Sequence, residues 1–112
     1  MVETKTEHKD DFAMPIEVIT FWKDDNCRNI SIRIVPHKKG FVGGIIVMLM
    51  GNGCMWGPWA DSPVFPTKEE CVKKCAEDII DYLDRCKDDR LYDKAKRHFI
   101  RNYKEYCEPS LF

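Results

Sequence analysis

Thiols come first, because cysteine is the most reactive side chain that this sequence repeats. Cysteines stand at positions 27, 54, 71, 75, 86 and 107. Cys71 and Cys75 are four residues apart, one helical turn, and Cys86 falls on the same helical face. Thiolates spaced in that way can share a tetrahedral metal, with His98 or Cys107 completing the set. Val72, Ile79 and Leu83 occupy the same face, however, and free cysteine is among the most buried residue types. The pattern therefore favours plain core thiols, with no metal and no cofactor. An even cysteine count in a short secreted chain would suggest disulfides, but the opening MVETKTEHKDDFAM has no apolar signal segment. Free thiols in a reducing, cytoplasmic setting are expected.

Covalent catalysis needs a nucleophile within reach of a base. Cys54 lies in a glycine-rich turn and His37 in another connection between strands, with no signature motif around either. The carboxylates mostly line helix surfaces. No catalytic residue is assigned, and an enzyme is not expected.

The glycines at 51, 53 and 57 are spaced G-x-G-x-x-x-G after an apolar run, close to the fingerprint that cradles a dinucleotide. Such a site needs a helix to start directly after the glycines, so that its N-terminus meets the pyrophosphate. Pro58, Pro63 and Pro66 delay any helix to Thr67, so no cofactor loop is expected. Asn52-Gly53 is instead a hairpin signal.

Two surface patterns remain. Lys94, Arg97, Arg101 and Lys104 recur at helical spacing, with Lys87 and Arg90 just upstream. This basic face suits phosphates or an acidic protein surface. Trp56 and Trp59, with Met55 and Phe65, surround the loop after the hairpin. They read either as a lid over the core or as a partner-binding anchor, since tryptophan is prominent in interface energetics.

The elements that must position these residues follow from periodicity. IEVITFW (16–22) is rich in β-branched and aromatic residues, and NISIRIV (29–35) alternates, with Ile30, Ile32 and Ile34 on one face and Ser31 and Arg33 on the other. FVGGIIVMLM (41–50) predicts a buried third strand in which Gly43 and Gly44 mark a bulge or a close approach. A short fourth strand is expected over 54–57. Thr67 with Glu70 forms a capping box that opens a helix over 67–87. Asp88 and Asp89 can cap a second helix over 90–106, with Leu91, Tyr92, Ala95, Phe99, Tyr103 and Tyr106 as its apolar face. Residues 1–14 are polar and aperiodic and read as a mobile tail, leaving 15–112 as one α+β domain. The expected architecture is a three- to four-stranded antiparallel meander with two helices on one face. The other face, with Arg33, should lie nearer solvent.

The 112 residues carry a net charge of −1, so there is no global pull toward nucleic acid or acidic membranes. The longest apolar run is FVGGIIVMLM, far short of the roughly 20 residues of a membrane span. The layout of an antiparallel sheet followed by a helix, with the helix start FPTKEEC at 65–71, resembles the ethylene-response-factor domains of plants and the arm-binding domains of tyrosine integrases. That resemblance implies DNA reading by a basic sheet face, for which the strands here offer mainly Arg33. The reading that best joins these features is a small non-enzymatic protein acting through protein–protein contact. It would be an adaptor, or an inhibitor of the kind carried by phage or mobile elements. The alternative is a nucleic-acid-binding module that uses the basic helix. Neither reading sets an oligomeric state.

Overall fold

The computed structural model describes residues 2–7, 16–24, 28–49, 52–56, 63–85 and 90–107. Its elements are β1 Glu3–Glu7, β2 Ile16–Lys23, β3 Asn29–His37, β4 Gly40–Leu49, β5 Asn52–Trp56, β6 Val64–Phe65, α1 Lys68–Arg85 and α2 Arg90–Cys107. The first five strands form an antiparallel open sheet in the order β1-β2-β3-β4-β5, and β6 pairs with β4 beyond β5. Both helices pack on one face of it, giving the expected α+β layout. No helix among the described residues is long and apolar enough to cross a membrane.

The alternation in β3 decides which face is which. Ile30, Ile32 and Ile34 turn toward the helices and join Ile19, Phe21, Ile45, Val47 and Leu49 in the main core. The same core takes Cys71, Val72, Cys75, Ala76, Ile79 and Leu83 from α1. The Thr67 hydroxyl accepts the Glu70 N–H at 3.1 Å, which satisfies a helix N-terminal donor and places the start of α1 where the capping pattern predicts it.

Gly43 is where α1 comes closest to the sheet. A Cβ at this position would lie 2.6 Å from Cys75 Sγ and 2.7 Å from Cys71 Sγ. The close approach expected of this glycine is thus met by the two thiols, while the β3–β4 register passes Gly43 and Gly44 without a shift. The bulge lies elsewhere, in β2. Thr20 pairs with Ser31 and Trp22 with Ile30, so Phe21 drops out of the ladder. Its carbonyl accepts the Asn102 Nδ2–H from α2 at 2.5 Å. Its ring stands edge-on to Phe99 at 5.2 Å, to Tyr106 at 5.7 Å and to Tyr103 at 6.1 Å. One bulged residue therefore carries the seam between α2 and the sheet.

Three expectations need correction. Residues 3–7, read as part of a mobile tail, pair along β2 from Glu3↔Thr20 to Glu7↔Ile16. ETKTE has no apolar face because an edge strand with charged side chains needs none, and charges discourage further pairing there. The hairpin ladder closes at Leu49↔Asn52, so Asn52 and Gly53 belong to β5 rather than to the turn. This register carries the pairing back to Ile45↔Trp56 before Pro58, whereas a turn on Asn52-Gly53 would have ended it near Met48. Arg33, expected nearer solvent, is only 7% exposed. The face away from the helices is itself substantially buried, and Ile16, Val18 and Val35 form a second small apolar cluster. A residue to which the sequence assigns no role, Asn102, lies on the apolar stripe of α2 and is buried, where it serves the Phe21 carbonyl.

Substituting Gly43→Ala should destabilise the fold by about 1–3 kcal/mol, the usual cost of overpacking a close-packed core. Denaturant unfolding measures this directly. An alanine variant as stable as the parent would contradict the tight seat of the thiols against β4.

Candidate functional site

Cys71 and Cys75 are buried free thiols directed at Gly43. Hydrogen bonding with Cys71, supported by burial, pushes the Cys75 thiol well above its ordinary value. The same hydrogen bond lowers the Cys71 thiol against the opposing effect of burial. Cys86 lies outside the described residues, and the other two conceivable ligands lie on α2. His98 stacks on Trp22, and Cys107 is exposed at the end of α2. Among the described residues no group of three or more His, Cys, Asp or Glu side chains is arranged to hold a metal.

The sheet register separates the only thiol–imidazole pair that the sequence suggested for catalysis. His37 pairs with Gly40 at one end of β4, and Cys54 pairs with Val47 toward the other. Those positions are seven steps apart along β4, about 23 Å at the usual rise per residue. His37 is also engaged locally, its Nδ1 accepting the Lys39 N–H at 3.1 Å.

The basic face is built as the spacing predicts. Lys94, Arg97, Arg101 and Lys104 are all exposed on α2, with Arg90 continuing the line. Arg97 pairs with Asp93 at 3.0 Å, and Arg101 donates to His98 Nδ1 at 2.7 Å. Among the described residues Lys94 and Lys104 have no acidic partner. Lys96, outside this line, ties α2 to α1 through Asp84. Arg97, Ile100, Arg101, Lys104 and Glu105 border a shallow surface groove.

His98 joins this face to the sheet. Its ring lies nearly parallel to Trp22, with an interplanar angle of 4° and centroids 6.0 Å apart. Burial, and then the charges of Arg101 and Lys94, hold its pKa below the usual 6.5. Arg101 occupies Nδ1 as a donor, so the neutral ring carries its proton on Nε2.

The hydrophobic residues expected around the post-hairpin loop do not form one cluster. Phe65 pairs with Phe41 and packs half-buried against the main core. Met55 pairs with Ile46 and is 58% exposed on the face away from the helices. Met48 lies beside it, 41% exposed, opposite Gly53. Trp56 is described by its backbone alone, paired with Ile45, and Trp59 lies outside the described residues. The shared exposure of Met48 and Met55 was missed because strand alternation alone does not reveal which apolar side chains of a largely buried sheet stay uncovered.

The fold and these surfaces define a small α+β protein of open-sheet, two-helix architecture. Compared with known protein families, curated proteins and solved structures, the chain has no significant match.

A lowered imidazole pKa fixes the direction of a pH effect. Between the folded pKa of His98 and the unfolded value near 6.5 the unfolded chain binds more protons, so stability rises with pH in that window and levels off above it. An NMR titration should place His98 below 6.5, and His98→Gln should flatten the loss of stability as the pH falls from about 7 to 5. A His98 pKa at or above the ordinary value would contradict the stacked, Arg101-capped arrangement.

Proposed function

We propose that this chain is a non-catalytic binding protein that engages another protein through the β5 edge of its sheet and the exposed methionines beside it, with Met55 as the anchor. The observation that carries this reading is the pair Met55 and Met48, the two most exposed large apolar side chains among the described residues, set side by side on one face. Contiguous exposed apolar groups mark interaction surfaces, and methionine adapts its shape to a partner. The two sheet edges differ in the same sense. β1 carries Glu3, Lys5 and Glu7, whereas β5, with the sequence NGCMW, carries no charge. An uncharged edge strand can accept a further strand from a partner. Buried free thiols at Cys71 and Cys75 suit a reducing, cytoplasmic compartment. The size and character of the chain suit an adaptor or a small inhibitor.

A second reading is favoured by the five exposed cations from Arg90 to Lys104 on α2. These would contact the phosphates of a nucleic acid, with affinity falling steeply as salt rises.

Affinity capture from the native host, with and without nuclease, separates the two. Met55→Glu should remove the captured protein at unchanged melting temperature, while Arg97→Glu with Arg101→Glu should leave it in place. Capture that survives Met55→Glu but disappears with nuclease and with the arginine reversals would overturn the protein-partner reading and establish the nucleic-acid one.

A further inference from the structure

Arg33 occupies an unusual position for a charged side chain. It stands mid-strand in the middle strand of the sheet, between Val18 of β2 and Gly44 of β4, on the face away from the helices. It is more than nine-tenths buried. Among the described residues it makes no hydrogen bond and no ion pair. Its guanidinium nitrogens are not among the sealed, unpartnered polar atoms of the described residues, so the stem is buried while the head group meets solvent and is open to an anionic partner.

The side chain lines a cavity of about 310 Å³ in the sheet face. Lys5 from β1 and Lys23 from the end of β2 line the same space, and Glu3 is the one carboxylate among the described lining residues. Glu3 makes no ion pair with Arg33, so the cavity carries an excess of positive charge. Ser31 donates its hydroxyl hydrogen to Asn29 Oδ1 and accepts from the Thr20 hydroxyl at 3.2 Å, leaving the Asn29 Nδ2 donor to orient a polar ligand. Val18, Ile46 and Met55 supply apolar wall.

We propose that this cavity is a binding site for a small molecule that carries an oxyanion, carboxylate or phosphate, on a compact apolar body. Arg33 takes the oxyanion through its planar fork of donors, the geometry that suits bidentate recognition of both groups. Lys5 and Lys23 add charge at the rim, and the apolar wall receives the body of the ligand. The volume lies at the lower end of the range for small-molecule sites, which limits the ligand to a small one. Arg33 is too deeply set to lie against a nucleic-acid backbone, and the cavity admits a single anionic group more readily than a polymer. The site does not depend on the protein-partner reading, although Met55 stands on its rim.

The test uses the full-length protein with benzoate and phenyl phosphate as probes and benzamide as the neutral control. The Arg33 side-chain Nε–H resonance is followed by NMR. Benzoate, phenyl phosphate or both should shift it saturably at millimolar concentration, and benzamide should not. Comparing the two anions shows which oxyanion the fork prefers. Arg33→Met should weaken binding at least tenfold while leaving the melting temperature little changed, because methionine keeps the buried stem and no hydrogen bond or ion pair among the described residues is lost. Should Arg33→Met fail to fold, Lys23→Ser, which alters only the rim, should still weaken the probe several-fold. Arg101→Gln on α2 should leave probe binding unchanged. The proposal is overturned if neither anion shifts the Arg33 resonance, or if saturable binding survives in folded Arg33→Met. A large drop in melting temperature for Arg33→Met with undiminished binding in Lys23→Ser would likewise make the residue structural.

Discussion

The bulge at Phe21 is the constraint on which the arrangement of this protein depends. A regular β2 would send Phe21 to the helix side with Ile19, but it would keep the Phe21 carbonyl within the ladder and turn Trp22 to the opposite face. The shift between Thr20↔Ser31 and Trp22↔Ile30 instead leaves Phe21 unpaired and brings Trp22 to the helix side as well. Three aromatic rings of α2 then meet it edge-on, a geometry that adds to simple burial. Asn102 closes the remaining cost by satisfying the freed carbonyl. The same shift brings Trp22 beside His98. It therefore sets both the docking of α2 and the angle at which the basic face meets solvent.

α1 is held differently. Its capped N-terminus is tied to β2 by the Lys68–Glu17 pair at 2.5 Å, and its middle rests on Gly43. Burial pulls the Lys68 ammonium down, but hydrogen bonding to Glu17, with the charges of Tyr106 and Glu17, outweighs it and leaves the pKa raised. α1 thus sits on β4 while α2 hangs on β2. With both helices on one side, the other face of the sheet is left to other uses. That face combines an exposed methionine pair, an uncharged edge and a cavity with a buried arginine, which is why the binding hypotheses converge there.

Much of this was legible in the sequence, and the misses have physical causes. Period-two alternation in NISIRIV and the Thr67 capping pattern located β3 and α1 to within a residue or two, since both are local signals. Strand β1 was not legible because an edge strand with two polar faces shows no apolar alternation. The Phe21 bulge leaves no mark either, because IEVITFW reads as an unbroken strand and the shift is set by what α2 offers across the core. Asn102 is one polar residue on an apolar stripe, and its role exists only through a carbonyl 81 positions away. Arg33 was assigned to solvent by alternation, which distinguishes the two faces of a sheet but not how deeply each is buried. The basic face was legible because helical spacing alone defines it. Of the four residues around the post-hairpin loop, Met55 is exposed and Phe65 is half-buried on the other side of the sheet.

Native-state hydrogen exchange on Phe21→Ala tests the central claim most directly. If the bulged ring holds α2 to the sheet, the amides of α2 from about Ala95 to Tyr106 will exchange through a separate, lower-energy opening while those of β3 and β4 keep their global protection. If α2 instead retains the same protection as β3 and β4 in that variant, packing on α1 is what holds it, and the account of Phe21 is wrong.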